Sequence, residues 1–299
     1  TRRSSDLDGN FVGYDVRYHQ AWFLAGYVAA RFDPEGKIGF VGAVPFPEVI
    51  RQLNAFAVGA LTANPAARVE VVWANSFVPS DDIAKKLVDY LVTGGNRVIV
   101  NRLGTGTSVK YVSELHDQGK DLYSIGINNP NACDSGPTSC LGAPYFNWGP
   151  LYTRVLDSIH RHTFDPTQRI DDPILVDPDE STFHFALNSK IAGLDGLKPD
   201  IVLRIGDLVG PNGEDQTFAG GFCVTKPAQR PGKPACSPAG EIVDDAELGS
   251  MCWLAKGIVQ PQDPEDPTSP LVDAPAPDGS ILWPPKSVDP TSLTKPSCK

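Results

Sequence analysis

The 299-residue sequence has few of the residues that most often mark a catalytic or metal centre. It contains five histidines, one methionine and six cysteines, and no two cysteines stand in a C-x-x-C pair. This spacing argues against a zinc knuckle and against a thioredoxin-type redox motif. No apolar run approaches the roughly 20 residues that a membrane-spanning helix needs. We therefore expect no metal, no other cofactor and no membrane-spanning helix in this sequence.

Basic surface is also scarce. The chain has 26 Lys and Arg residues against 36 Asp and Glu residues, which gives a net charge of −10 and a pI near 4.9. Binding to nucleic acid or to an anionic membrane depends on basic surface, so this balance argues against both. The hydrophobic fraction of 41% and the charged fraction of 21% are typical of a soluble globular protein. The length allows one large or two medium domains.

The cysteines are even in number, which favours a disulfide framework over free thiols. They are Cys133, Cys140, Cys223, Cys236, Cys252 and Cys298. Many connectivities are open, but a turn-forming loop joins the first two and a proline-rich loop joins the next two, which suits two short-range bonds. Disulfides would place the protein in an oxidising compartment.

Short β-branched apolar runs alternate with amphipathic stretches from residue 37 onward. The runs at 37–44, 68–74, 97–101 and 122–127 predict buried strands, and the stretches at 48–63, 80–94 and 107–118 predict helices. Strand–helix–strand units of these lengths imply parallel strands joined by right-handed crossovers. The sequence therefore predicts an α/β fold with a parallel, doubly wound sheet.

Outside this repeat the pattern predicts further elements with less regularity. Aromatic and small residues from Tyr18 to Ala30 fall at helical spacing, and Gly26 among them suits close packing on a neighbouring helix. Pro150 suits the first position of a helix that ends near His162. Strands are predicted at 174–176, 182–187 and 201–205. The last forty residues hold ten of the 28 prolines, which favours an extended tail.

Ligands of open α/β sheets bind beyond the carboxyl ends of the strands, so the residues there are the candidates for a site. The predicted strands are followed by Asn75, Ser76 and Phe77, by Asn101 and Arg102, and by Asn128. Amides can read the polar edge of a heterocycle or sugar, and rings can stack on a planar ligand. The set lacks paired carboxylates, a nucleophile elbow and a complete phosphate-binding glycine loop. It therefore favours the holding of a small ligand over catalysis.

Structural roles for the same residues stay open. The asparagines also suit the closing of strand-to-helix turns, Phe77 suits a packing role, and Arg102 suits a surface ion pair. An α/β enzyme of unknown reaction, using Cys133 or His116, is a further alternative.

Several segments in the same order resemble the basic membrane protein family. They are A-W-F-L-A-G-Y-V-A-A, G-K-I-G-F-V-G-A-V-P-F-P-E-V-I-R, V-V-W-A-N-S-F and F-N-W-G-P-L-Y, between Tyr18 and Arg161. This family comprises lipid-anchored solute-binding proteins of ABC importers, related to purine nucleoside receptors. The resemblance implies a type I periplasmic-binding-protein-like fold whose two lobes close on a small polar ligand. It implies ABC permease subunits as partners and a periplasmic or cell-surface location, through a lipid anchor outside this sequence.

The resemblance also implies a division of the chain. Residues 1–36 would be a remnant of the first lobe with its crossover helix, and 37–162 the second lobe. Residues 163–258 would return to the first lobe with the cysteine- and proline-rich loops, and 259–299 would form the tail. Family members carry further βα units before the helix at Tyr18, so we expect a first lobe truncated at its N-terminus. Thr1 is not followed by a leader, which indicates a processed or shortened chain.

For the site, the resemblance implies a nucleoside-like ligand with altered contacts. Phe77 stands where nucleoside-binding members place a base-stacking aromatic. Asn128 stands at the position of a ribose-binding Asp in those members, and Phe146 stands near the position of a ribose-binding Lys. The segment R-L-G from Arg102 replaces a His-Thr-Asp-like stretch of the family. The expected ligand is therefore a purine nucleoside or a similar small molecule. A ligand-sensing regulatory domain and a degenerate domain that binds nothing are the alternatives of the same fold.

Overall fold

A computed structural model describes residues 14–165, 170–225, 230, 232–263 and 266–274. The helices in these ranges are α1 (His19–Phe32), α2 (Pro47–Ala63), α3 (Asp81–Thr93), α4 (Thr107–Asp117), α5 (Trp148–His160), α6 (Lys198–Leu208) and α7 (Asp245–Gly249). The strands are β1 (Tyr14–Val16), β2 (Lys37–Gly42), β3 (Arg68–Trp73), β4 (Val98–Arg102), β5 (Tyr123–Ile125), β6 (Cys140–Phe146), β7 (Ile170–Asp172), β8 (Phe183–Leu187), β9 (Phe222–Cys223), β10 (Cys236–Ser237), β11 (Ile258–Pro261) and β12 (Leu271–Asp273).

Eight of these strands form one sheet in the order β12-β11-β3-β2-β4-β5-β6-β8. The strands from β11 to β6 run parallel, while β12 and β8 add an antiparallel strand at each edge. The chain passes from β2 to β3 and then crosses to β4 on the other side of β2, so the strand order reverses at β2. This order confirms the predicted α/β class, with mixed edges added to the parallel centre.

The sheet separates two hydrophobic cores. Successive side chains of a strand point to opposite faces, so residues of β2, β3 and β4 enter the two cores in turn. Phe40, Val71 and Val100 pack on the side of α1 and α2, and Val41, Val72 and Ile99 pack on the side of α3 and α4. We call these sides the α1–α2 face and the α3–α4 face.

Helices α1 and α2 touch at two glycines. A Cβ added to Gly26 would lie 1.9 Å from the carbonyl oxygen of Phe56, and one added to Gly59 would lie 2.0 Å from that of Phe23. Glycine is therefore required at both positions. This confirms the close packing predicted for Gly26. Helix α1 shares the core of α2, while the lobe boundaries inferred from the resemblance stay predictions.

Two predicted strands are wrong. Residues 201–205 lie in α6, which begins at Lys198 with Pro199 in its first turn. The run I-V-L-R-I suits either type of element, and the burial of Ile201, Ile205 and Leu208 has the helical spacing. Residues 174–176 form no strand, although β7 ends just before them.

The strand predicted at 182–187 is confirmed as β8, whereas β6, β11 and β12 were not predicted. Gly142 and Pro144 interrupt the apolar run of β6, and both residue types usually indicate loops. A Cβ on Gly142 would lie 2.4 Å from the carbonyl oxygen of Ala186, so the close pairing with β8 requires glycine there. In the predicted tail, β11 and β12 join the sheet, and residues 275–299 lie outside the described residues.

The two predicted disulfides, Cys133–Cys140 and Cys223–Cys236, are confirmed. Cys252 is also disulfide-bonded, and Cys298 lies outside the described residues. None of the described helices has the length and apolar character that crossing a bilayer would need.

Candidate ligand site

A cavity of about 460 Å³ lies beside the carboxyl ends of β2 and β6. Its lining comes from β1, the start of α1, the first turns of α2, the end of β6, the start of α5 and the end of α7. The residues are Tyr14, Val16, Tyr18, Glu48, Arg51, Gln52, Phe146, Trp148, Leu248 and Gly249. We call this space the edge cavity.

One wall of the edge cavity is a row of aromatic rings. Tyr18 stacks on Phe146 with ring centroids 3.9 Å apart, and Phe146 stacks on Trp148 at 4.7 Å with nearly parallel planes. Tyr14 meets Trp148 edge-on at 5.7 Å. Because these rings stack on one another, they offer an apolar wall to the cavity, which suits the apolar part of a ring compound.

The opposite wall is polar and is held by a buried guanidinium. Arg102 ends β4, beside the point where the strand order reverses, and its side chain lies on the α1–α2 face. Its Nε donates to Gln52 Oε1, and its Nη2 lies 3.5 Å from Glu48 Oε1. Gln52 in turn donates to Glu48 across 3.0 Å. The network fixes one amide and one carboxylate at the cavity.

Arg102 is also enclosed by rings. Its guanidinium carbon lies 5.9 Å from the ring centroids of both Trp22 and Phe77, which is cation–π distance. Burial lowers the pKa of Arg102, and the charge of Glu48 opposes that shift. An arginine keeps its proton in proteins, so the site contains a fixed positive charge.

Tyr18 links the aromatic wall to Asn128. Its hydroxyl donates to Asn128 Oδ1 at 3.0 Å. Burial raises the pKa of Tyr18, although the charge of Arg102 opposes the shift, so the hydroxyl remains a neutral donor. Asn128 has a φ of 61°, in the left-handed region that Asn tolerates better than most residues.

The structure brings some of the predicted site residues together and separates others. Phe146 lines the edge cavity, while Arg102 and Asn128 contact residues that line it. Phe77 is not among the lining residues; it is 40% exposed, stacks on Phe46 at 6.1 Å and lies beside Arg102.

The remaining predicted residues serve local turns in the structure. Ser76 Oγ accepts from the Val78 N–H at 3.1 Å, and Asn75 takes a φ of 54°. Asn101 is buried and donates to the Thr105 carbonyl at 2.8 Å. Its side chain lies on the α3–α4 face, because it is one residue from Arg102 along the strand. Ligand contacts by these three residues stay predictions.

Sequence reasoning missed several lining residues on helices. Glu48, Arg51 and Gln52 occupy the first two turns of α2, the helix that follows β2. A search over the first two turns of the helix that follows each strand would have found them, since i, i+3 and i+4 share a face. Tyr18 and Trp148 carried no such signal, because long-range packing brings them to the cavity.

A larger cavity, of about 770 Å³, lies at the other end of the sheet. It is lined by Arg68 at the start of β3, Leu61 of α2, Phe222 and the loop at Gly257. Its greater volume favours this cavity as the ligand site. Position favours the edge cavity, because ligands of open α/β sheets bind at the carboxyl ends of the strands. Within the described ranges, no three His, Cys, Asp or Glu side chains gather as a metal site.

A family model described as "ABC transporter substrate-binding protein PnrA-like" matches residues 4–171. The chain belongs to this family. This membership confirms the resemblance to basic membrane proteins that the sequence motifs indicated, and a basic membrane protein B from Borreliella afzelii is 32% identical over 120 residues. That alignment covers 40% of this chain and 34% of the relative.

Two further relatives carry names that specify different ligands. A purine-binding protein from Brucella abortus is 31% identical over 146 residues, covering 48% of this chain and 39% of the relative. A putative ABC transporter glucose-binding protein from Haloferax volcanii is 29% identical over 163 residues, covering 54% and 39%. The chain thus spans about two fifths of the length of these relatives.

Solved structures support the fold. A solute-binding protein of an ABC transporter system from Conexibacter woesei aligns with a TM-score of 0.51 and 20% identity, over 70% of this chain and 68% of that one. A transcriptional activator of the comK gene from Bacillus halodurans aligns with a TM-score of 0.51 and 19% identity, over 69% and 68%. At these identities the likeness concerns the fold alone, and it confirms the predicted periplasmic-binding-protein-like class.

Proposed function

We propose that this chain is the ligand-binding part of an extracytoplasmic solute-binding protein, which delivers a small polar ligand to an ABC permease. The observation that carries the proposal is the edge cavity, where stacked rings face the network of Gln52, Glu48 and Arg102. Such a site orients a ligand through a flat surface and a few fixed polar groups. The ligand class is a purine nucleoside or a similar ring with polar substituents.

In this mechanism the ligand ring lies against Phe146 and Trp148. The Gln52 amide offers a donor and an acceptor to the polar edge of the ring, and Glu48 accepts from a hydroxyl or amine. Phe77, which lies beside Arg102 and is exposed, stacks on a further part of the ligand. A further lobe, as the greater length of the relatives suggests, then closes over the ligand, which favours the closed state through the contacts made there. The ligand leaves unchanged.

Location and partners belong to the same proposal. The disulfides Cys133–Cys140 and Cys223–Cys236 favour an oxidising compartment, outside the cytoplasm. Membership of the family favours a lipid anchor at the membrane surface and a permease as the receiving partner.

The test is calorimetric titration with adenosine, guanosine and inosine, their free bases, and glucose. We expect one purine compound to bind. Phe146→Ala should then weaken binding by at least about 1 kcal/mol, since an aromatic contact contributes on that order. Leu156→Ala, at an exposed position on α5 outside the lining of the edge cavity, is the control.

Each other outcome has a defined meaning. Glucose binding alone would support a solute receptor and contradict the purine class. A loss below about 1 kcal/mol in Phe77→Ala would remove stacking by Phe77. Chromatography of the recovered compound should return it unchanged, and conversion would favour the enzyme alternative. Binding of none of these compounds would contradict the proposed ligand classes.

A further inference from the structure

We propose that Arg51 binds an anionic group of the ligand, so that the edge cavity takes a ring compound with a carboxylate or phosphate substituent. The inference rests on the proposed function and narrows its ligand class. Arg51 stands in the second turn of α2 and lines the edge cavity. It also lines a smaller adjoining cavity of about 170 Å³.

The arginines of this region differ in their partners. Arg17 bonds to Asp171, Arg102 lies beside Glu48, and Arg154 bonds to Asp172 at 2.6 Å. Among the described residues, Arg51 forms no ion pair, and its Nε is buried without a hydrogen-bond partner. Arg51 is therefore the guanidinium of this region that remains available to a ligand.

The chemistry of a guanidinium selects the partner. It stays protonated and offers five donors in a planar fork, which matches the two oxygens of a carboxylate or phosphate. A half-buried donor without a partner is unfavourable. An anionic ligand group placed at Arg51 would satisfy it with charge-assisted hydrogen bonds, which are stronger than neutral ones.

The surrounding charges indicate the side from which the anion approaches. The smaller cavity is lined by Asp171, Asp215 and Asp245, of which the first two pair with Arg17 and His19. Asp245 adds an acid beside these pairs, which disfavours an anion there. Of the described residues that line the edge cavity, Glu48 is the acid, and Arg102 lies beside it. An anion therefore reaches Arg51 from the edge cavity, where a ring joined to it meets Phe146.

Matched ligands test the inference. Adenosine is compared by calorimetry with adenosine 5′-monophosphate and with the 5′-carboxylic acid of adenosine, and guanosine with its corresponding acids. We expect an acid to bind about tenfold or more tightly than its neutral parent, given the strength of charged hydrogen bonds. The phosphate and carboxylate arms identify which anion fits.

Variants assign the effect to the residue. Arg51→Gln should abolish the preference, so that the acid and its neutral parent bind this variant with nearly equal affinity. Arg51→Lys should keep part of the preference, since the charge remains without the planar fork. Arg68→Gln, at the opposite end of the sheet, is the matched control and should keep the whole preference.

The failures of the two proposals can be told apart. A parent that binds as tightly as its acids supports the receptor and overturns the role of Arg51, as does an acid preference that survives in Arg51→Gln. If no ring compound binds, a thermal shift with inorganic phosphate against chloride at equal ionic strength decides. If phosphate raises the melting temperature of the unchanged protein but not of Arg51→Gln, the anion site alone is supported. If phosphate has no effect, or the same effect in both proteins, the anion site is overturned together with the receptor proposal.

Discussion

The α1–α2 face and the α3–α4 face of the sheet are covered by side chains of different size and polarity. The first face buries Trp22, Phe40 and Phe56 under two helices in glycine contact, and it carries the aromatic and polar walls of the edge cavity. The second face has a smaller, mostly aliphatic core. The same strands supply both faces, and successive side chains point to opposite faces. The position of a residue along its strand therefore decides whether it can contribute to the site.

The buried carboxylates on the two sides show the same contrast. Asp215, beside the start of α1, lies 2.5 Å from His19 and accepts from Thr217. Glu70, on the α3–α4 side of β3, is buried with the amide of Asn96 as its hydrogen-bond partner. The first acid has a partner that can carry charge and the second has a neutral one, so their pH effects differ in sign.

The largest effect is expected at the α1–α2 contact. Gly26→Ala places a Cβ against a backbone oxygen in a packed core, so the helices must separate, and we expect a loss of about 3 kcal/mol or more. Urea unfolding measures it. Gly206→Ala on α6, where nothing lies within 4 Å, is the control and should be neutral or stabilising by up to about 1 kcal/mol. Equal losses in both variants would refute the close contact.

Asp215→Asn should cost about 3 kcal/mol at pH 7, because it breaks a buried pair. Burial would raise the pKa of Asp215, but His19 and Thr217 hold it well below its usual range. The carboxylate therefore stabilises the fold above the unfolded pKa, near 3.8, and this contribution is lost as the pH falls below that value. The deficit of the variant should shrink toward pH 3. A deficit independent of pH would contradict the charged pair.

Glu70→Gln should act in the opposite direction, stabilising the protein by about 2 kcal/mol at pH 8. Burial raises the pKa of Glu70 to about 7, and the Asn96 hydrogen bond opposes the shift. The folded state therefore favours the protonated acid, so its contribution is full below the unfolded pKa near 4.5 and is lost as the pH rises through 7. The gain should vanish near pH 4.5. A gain of equal size at pH 4.5 and pH 8 would refute this sign.

The smallest effect concerns neighbouring residues on opposite faces. Arg102→Met should weaken ligand binding by about 1 kcal/mol, because Gln52 and Glu48 lose the group that positions them. Asn101→Ser should leave affinity unchanged, since that side chain closes a turn on the other face. Titration of both variants with the same ligand measures the difference. A larger loss of affinity in Asn101→Ser than in Arg102→Met would contradict the assignment of these two side chains to opposite faces.

The sequence predicted the parallel sheet because alternating β-branched runs and amphipathic stretches are local patterns. It also predicted both short disulfides and the end of the sheet where ligands are expected. The prediction of a strand at 201–205 was wrong because short apolar segments suit both helix and strand. Strand β6 was not predicted because it contains Gly142 and Pro144, which are accommodated through its pairing with β8.

The site was predicted only as far as residues adjacent to strands. Arg102 and Phe146, which lie at the edge cavity, were named in this way, and so was Asn101, whose side chain lies on the α3–α4 face. Tyr18 reaches the cavity by stacking on Phe146 from 128 positions away in the chain (146 − 18), a distance at which no local pattern gives a signal. Long-range packing is therefore the part of the site that required coordinates.

The most direct measurement is a crystal structure of this chain with the purine compound that binds most tightly. The account predicts electron density for the ring against Phe146 and Trp148, with polar groups at Gln52 and Glu48. Density in the larger cavity, between Leu61 and Phe222 at the opposite end of the sheet, would contradict the central claim that the edge cavity is the ligand site.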